Sequence, residues 1–150
     1  MWNKYGNRKV ETADGTFDSR GEYQRWLFLR DAERRGEIRD LKRQVTYQLV
    51  PAMHYTETVH LKTKDKQVQR VWTRAVTYTA DFVYKVLGKK IPWNDPLGVG
   101  YAEIWETVVE DFKGMPNDRW QMKKALMAFV HGIYVREVKR PAEPLKQSKQ

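Results

Sequence analysis

Three charged residues at the ends of two apolar, β-branched runs carry the chemistry open to this sequence. Asp81 lies in Tyr78-Thr79-Ala80-Asp81-Phe82-Val83-Tyr84, while Asp111 and Lys113 close the run Val108-Val109-Glu110-Asp111-Phe112-Lys113. If the second run is a strand, alternation puts Asp111 and Lys113 on one face, about 6.6 Å apart along it. The runs 76–86 and 104–112 are natural antiparallel partners, a pairing that can bring Asp81 opposite Asp111. Two carboxylates meeting near a sheet end suit a hard divalent cation such as Mg²⁺, with waters and a substrate phosphate completing the shell. Such an ion lowers the pKa of bound water and offsets charge on a scissile phosphate. A lysine beside it orients or deprotonates the attacking water, or stabilises the charged transition state. That is phosphodiester hydrolysis.

The acid-x-Lys spacing alone says little, because Asp40-Leu41-Lys42 and Glu137-Val138-Lys139 repeat it. An ordinary ion pair on a solvated strand end accounts for the spacing of Asp111 and Lys113 equally well. Context favours the 111–113 copy: an apolar strand leads in, Gly114 follows and an acid-bearing strand precedes. Carboxylates closing buried strands are costly without partners. Glu22 has two readings. It stands three residues after Ser19, the spacing of a capping box, or it is a third acid delivered from a helix; the residues alone favour the cap. Lys123 and Lys124 face either phosphates or solvent. His54, His60 and His131 show no ligand spacing. Trp26, Trp105 and Trp120 read as core, whereas Trp72 and Trp93 lie near loops and can stack on bases.

The elements that must position these groups follow from local pattern. Asp14-Gly15 signals a turn, and a helix capped by Ser19 runs to Arg35, stopped by Gly36. Residues 44–50 alternate as a strand, weak strand patterns at 56–61 and 68–74 flank a charged tip, and 76–86 is a strand broken by Gly88-Lys89-Lys90. Pro92, Pro96, Gly98 and Gly100 make 91–100 a loop. A strand over 104–112, a helix after Pro116-Asn117-Asp118 carrying Trp120, Met122, Leu126, Met127, Phe129 and Val130 to Gly132, and a strand over 133–138 complete the order. Helix, strands, helix, strand indicates an α/β or α+β domain with one mixed sheet.

The chain's 150 residues carry 28 Lys+Arg against 19 Asp+Glu, a net charge of +9. That balance on an aromatic-rich domain favours a polyanionic partner, since each phosphate neutralised releases counterions. The absence of cysteine excludes a disulfide framework, a thiolate zinc site and a cysteine nucleophile. No apolar run reaches 18 residues and the first residues lack an apolar signal core, so a membrane partner is not expected and a cytoplasmic location is. Residues 1–140 read as one domain and 141–150 as a disordered basic tail.

The segments Asp14-Gly15-Thr16-Phe17-Asp18-Ser19-Arg20-Gly21-Glu22 and Gly36-Glu37-Ile38-Arg39-Asp40-Leu41-Lys42-Arg43-Gln44 join the two acid-bearing runs as four ordered blocks. Together they resemble the phage Holliday-junction-resolvase-like proteins of the PD-(D/E)XK nuclease superfamily, over roughly residues 10–138. The resemblance implies a restriction-endonuclease-like αβββαβ core, with one mixed sheet flanked by helices. It also implies cleavage of branched DNA with Mg²⁺ or Mn²⁺ by a homodimer. Asp81 and Asp111 match the motif acids, Lys113 the motif lysine and Glu22 the helix-borne acid, which raises Glu22 from cap to metal ligand. Ala80 stands where the eponymous proline would be, and the 88–103 segment exceeds the usual short turn. Its aromatic content suits dimerisation or junction recognition. The absence of a further DNA-binding domain points to branch structure rather than base sequence as the target. The alternatives are a nuclease that nicks or trims ordinary duplex and a non-catalytic DNA-binding module of the same fold.

Overall fold

The computed structural model describes residues 8–96, 98–112 and 117–145. A short hairpin of β1 (Val10–Thr12) and β2 (Gly15–Phe17) leads into helix α1 (Arg20–Arg34). Strand β3 (Ile38–Val50) follows, then a separate ribbon of β4 (Met53–His60) and β5 (Asp65–Thr73). Strands β6 (Val76–Asp95) and β7 (Gly98–Phe112), helix α2 (Asp118–His131) and strand β8 (Arg136–Val138) complete the chain. The main sheet has the order β3-β6-β7-β8, antiparallel except for the parallel β7–β8 pair that α2 connects. This is a mixed α+β fold built on one mixed sheet and two helices.

Both helices start and stop where their caps dictate. The Ser19 hydroxyl accepts from the Glu22 N–H and the Asn117 side chain from the Trp120 N–H. At the far end of α2, Gly132 takes the left-handed conformation (φ 65°), and the Ile133 N–H returns to Met127 O. That return bond belongs to the helix, so the last strand begins only at Arg136 rather than at residue 133.

Val108 and Val109 are neighbours on β7 whose side chains point to opposite faces, and they join different cores. Val108 packs with Leu29, Ala32, Ile38, Phe82, Tyr84 and Val86 under α1, and Val109 with Leu49, Tyr78, Ala80, Trp120, Met127 and Val135 under α2. The sheet therefore separates the helices. From Tyr78 to Val86 the even residues of β6 are all buried, yet Tyr78 and Ala80 belong to the α2 core and Phe82, Tyr84 and Val86 to the α1 core. The alternation changes phase at Asp81. Opposite it, between the pairs Arg43↔Phe82 and Val45↔Ala80, Gln44 has a positive φ of 51°. A non-glycine residue is rarely found there, and such strain gathers at sites of function.

Several expectations are corrected. The loop expected over 91–100 is a β-ribbon, paired from Lys89↔Ile104 to Asp95↔Gly98, and Gly88-Lys89-Lys90 forms a bulge rather than a break. The sheet reaches only to Ile38↔Val86 on the other side of β6, so Pro92 sits on a free edge, where a missing N–H is tolerated. Gly100 lies under the Trp93 indole, where an added Cβ would stand 2.8 Å from the ring. On α2, Trp120 and Met127 are buried, but Met122, Phe129 and Val130 are exposed. The tail expected from residue 141 is held down as far as Leu145, which packs against the α1 core; 146–150 fall outside the described residues.

The tie to that segment is a buried arginine. Arg25 of α1 is fully buried and binds Glu110 of β7 through two bonds, Nε–Oε1 2.6 Å and Nη2–Oε2 3.0 Å. Its Nη1 donates to the carbonyls of Pro141 (3.1 Å) and Glu143. The Tyr84 hydroxyl donates to Glu110 Oε2 at 2.5 Å. Removing one partner of a buried pair leaves an uncompensated charge. Glu110→Gln is therefore expected to cost about 3–5 kcal/mol in urea denaturation. The double variant Arg25→Met/Glu110→Leu should lose less than the sum of the single changes. A loss under about 1 kcal/mol for Glu110→Gln would contradict this account.

Candidate active site

The site forms where β6 and β7 stop pairing. Their last hydrogen-bonded residues at this end are Phe82 and Glu110, so Asp81 and Asp111 come one step beyond, side by side. There Asp81 replaces a ladder carbonyl: its Oδ2 accepts the Phe112 N–H at 2.8 Å. Asp111 is buried on the α2 side, where its Oδ2 accepts from the Trp120 indole N–H. The two adjacent acids of β7 thus divide their work. Glu110 anchors α1 through Arg25, and Asp111 faces α2.

Glu22 reaches this place from the first turn of α1, and it is 4% exposed. Its two oxygens have different partners. Oε2 accepts the Asp18 N–H at 2.9 Å, one residue before the amide a capping box would use. Oε1 lies 3.4 Å from the Gln44 amide nitrogen, which is itself 3.4 Å from Asp81 Oδ1. Gly21 makes the approach possible, because a Cβ there would sit 2.6 Å from the Phe112 ring. Any larger residue would have to displace the Phe112 ring or the first turn of α1.

These neighbours load the carboxylates electrostatically. Burial first, then a hydrogen bond and like charge from Asp111, push Asp81 up to about 8, with Glu22 adding to the effect and the Phe112 N–H opposing it. Burial, followed by the same two aspartates, also raises Tyr78. At neutral pH without a counter-cation, Asp81 therefore holds a proton that a solvated aspartate would have released.

Of the residues singled out by sequence, Glu22, Asp81 and Asp111 are brought together, and Lys113 lies outside the described residues. Among the described residues, no three acids or histidines are placed to hold a metal ion together. Lys124 sits over the Trp120 ring, its Nζ 5.0 Å from the centroid, which puts a cation beside Asp111's indole partner. Lys123 is half-buried on the same helix. Of the three histidines, His60 pairs with Asp65 and His131 with the Gln48 carbonyl, both away from the acids. Gln44 and Tyr78 are neighbours of the acids that motif spacing does not reveal; the signal for Gln44 is its backbone, which no residue pattern encodes.

Residues 2–141 match a family described as "Protein of unknown function (DUF1064)". The chain belongs to this family. No curated protein and no solved structure matches it. The DUF1064 match spans Glu22, Gln44, Asp81, Asp111 and Lys113 alike, and its description assigns them no activity. No helix among the described residues is long and apolar enough to cross a membrane.

The load on Asp81 sets a pH dependence. Its folded pKa is raised from the ordinary aspartate value to about 8. Between about pH 4 and 8 the folded chain thus binds a proton that the unfolded chain does not, and stability falls as pH rises. Asp81→Asn keeps an oxygen for the Phe112 N–H and gains an N–H for Asp111. In EDTA its melting temperature should exceed wild type by several degrees at about pH 8 and match it near pH 4. Equal values at both pH extremes would show that the acids are not electrostatically loaded.

Proposed function

We propose that the chain is a metal-dependent, structure-selective DNA endonuclease of the phage Holliday-junction-resolvase-like type, built on a restriction-endonuclease-like core. The pairing of Asp81 with Asp111 at the shared end of β6 and β7 carries the reading. A half-buried carboxylate, raised to about 8 by burial and by the buried carboxylate beside it, makes a place that suits a divalent cation. The order α1, β3, β6, β7, α2, β8, with its parallel crossover, supports the αβββαβ core.

The donor set fits Mg²⁺ or Mn²⁺. All are hard oxygens, and Mg²⁺ needs only one or two carboxylates beside its waters and a substrate phosphate. Asp81 and Asp111 would hold the ion, with Glu22 as the third acid. When bound, it supplies a nucleophilic water and neutralises charge on the scissile phosphate. The chain's own groups do the positioning: the Phe112 N–H and Trp120 indole fix the aspartates, and Gln44 spans Asp81 and Glu22. Lys113 orients the attacking water, and Lys123 and Lys124 meet the phosphate backbone, in keeping with the net charge of +9. Symmetric incision of a four-way junction needs two sites, hence a twofold homodimer. A non-catalytic DNA-binding module is the second reading, favoured by the absence of a three-ligand cluster among the described residues.

Cleavage of a synthetic four-way junction beside a linear duplex, in Mg²⁺ and in EDTA, tests these readings. The expected result is paired incision of the junction in Mg²⁺ alone. Preferential nicking of the duplex would favour an ordinary nuclease, and no cleavage of either DNA would favour the binding module. Asp111→Asn and Lys113→Ala should abolish incision while junction binding survives, because binding rests on distributed basic charge.

Glu22→Gln separates the acid's two roles. An amide still caps the Asp18 N–H but brings no charge to the metal. Incision should fall at least about tenfold, roughly 1.4 kcal/mol of transition-state stabilisation, with the melting temperature nearly unchanged. Ser19→Ala should do the reverse, costing about 1 kcal/mol of stability and little activity. Unchanged incision in Glu22→Gln would return this residue to its cap alone.

A further inference from the structure

The β4–β5 ribbon is the least supported part of the fold. It pairs with no strand of the main sheet, and only Val59, Val68 and Thr73 along it are even half-buried. A lone two-stranded ribbon is marginally stable in water, so one left bare on both faces invites the question of what it meets.

Its charge answers in part. Residues 53–74 contain Lys62, Lys64, Lys66, Arg70 and Arg74 against Glu57 and Asp65. Both acids have a partner within the ribbon: Glu57 accepts from Arg70 at 2.8 Å, and Asp65 lies 2.7 Å from the His60 ring nitrogen. Lys62, Lys64, Lys66 and Arg74 have no acidic partner among the described residues, and three of them crowd the tip, where Leu61 N–H closes a turn onto Lys64 O. Such a tip suits a polyanion. It suits strand addition by a second copy poorly, since lysines on a free edge oppose it. Near the root, Tyr55 and Trp72 are 51% and 73% exposed.

Shape and position supply the rest. The major groove of B-DNA, about 12 Å wide, admits a two-stranded β-ribbon. The ribbon continues from the end of the β3–β6 pair at Val50↔Val76, five residues along β6 from Asp81. That is about 17 Å of strand, or half of the roughly 34 Å helical turn of a duplex. A duplex with its scissile phosphate at the acids can therefore extend over the ribbon.

We propose that the β4–β5 ribbon is a DNA-contacting arm that enters the major groove of the duplex flanking the cleavage site, with Lys62, Lys64 and Lys66 on its phosphates. This rests on the reading of the protein as one that acts on DNA, and it adds a contact surface separate from the acids.

The test is fluorescence anisotropy with a labelled linear duplex and a four-way junction, in EDTA so that nothing is cut. The triple variant Lys62→Ala/Lys64→Ala/Lys66→Ala should keep its melting temperature, because all three side chains are exposed. Its affinity should fall at least about tenfold, and the slope of log K against log salt should flatten by roughly 0.9 per lost phosphate contact. A second variant, with residues 52–74 replaced by Asn-Gly, should lose hydroxyl-radical protection on the flanking duplex while keeping it at the junction centre. Wild-type affinity and salt slope in the triple variant would overturn the proposal, as would failure of the wild type to bind duplex. Ribbon-dependent binding to phosphatidylserine vesicles instead of DNA would also overturn it. Cleavage is scored separately. A wild type that binds through the ribbon but cuts nothing removes the nuclease and keeps the arm. Normal cutting with unchanged affinity in the triple variant removes the arm alone.

Discussion

A buried charge pair organises this protein. Arg25 and Glu110 lie in full burial, and each is satisfied only because several elements meet at them. Glu110 takes two nitrogens of the arginine fork and the Tyr84 hydroxyl; the arginine's other hydrogen bonds go to main-chain carbonyls beyond β8. Desolvating two charges is repaid only when geometry and further hydrogen bonds are good. Helix α1 is thereby held against β7 at one rotation and one height. That rotation carries Glu22, one turn earlier, to the end of the strand, and Gly21 lets the helix come close enough to deliver it.

The same residue run therefore does two kinds of work. On β7, Glu110 faces α1 and Asp111 faces α2, as strand alternation requires. One acid is spent on assembly and its neighbour on the site. The strand fixes both, so the carboxylate that anchors the helix also sets the place of the one beside it. Asp81 joins them from β6 at the point where that strand and β3 exchange one core for the other. A regular alternation would have buried Asp81 beneath one helix or left it in solvent. The phase change leaves it at the seam, where both helices can reach it.

Much of this was readable in the residues, and the parts that were not share a physical reason. The helices were signalled by Ser19 and Gly36 and by Asn117 and Gly132, because caps and stops are local chemistry. The apposition of Asp81 and Asp111 followed from two β-branched runs that had to pair. Residues 91–100 read as a loop because proline and glycine usually punctuate; here Pro92 lies on an unpaired edge and Gly100 is a floor for Trp93, conditions set by tertiary neighbours. Nothing in the local pattern marks Arg25 and Glu110 as a pair, since full burial of an ion pair is decided by elements far apart in sequence. Gln44 was invisible for a related reason: a positive φ in a strand leaves no trace in composition.

The carbonyls that complete Arg25's coordination bear on how the protein is made. Arg25 is translated early, but Pro141, whose carbonyl it needs, follows 116 residues later. Domains generally assemble as units during synthesis, and here the innermost charge of the first helix has no complete set of partners until nearly the whole described chain has emerged. A nascent chain can form α1 and the β3–β6 pairing, yet it has no reason to settle the helix in its final rotation. Until the segment carrying Pro141 and Glu143 has joined the fold, the hold that sets the place of Glu22 beside Gln44 and Asp81 is incomplete.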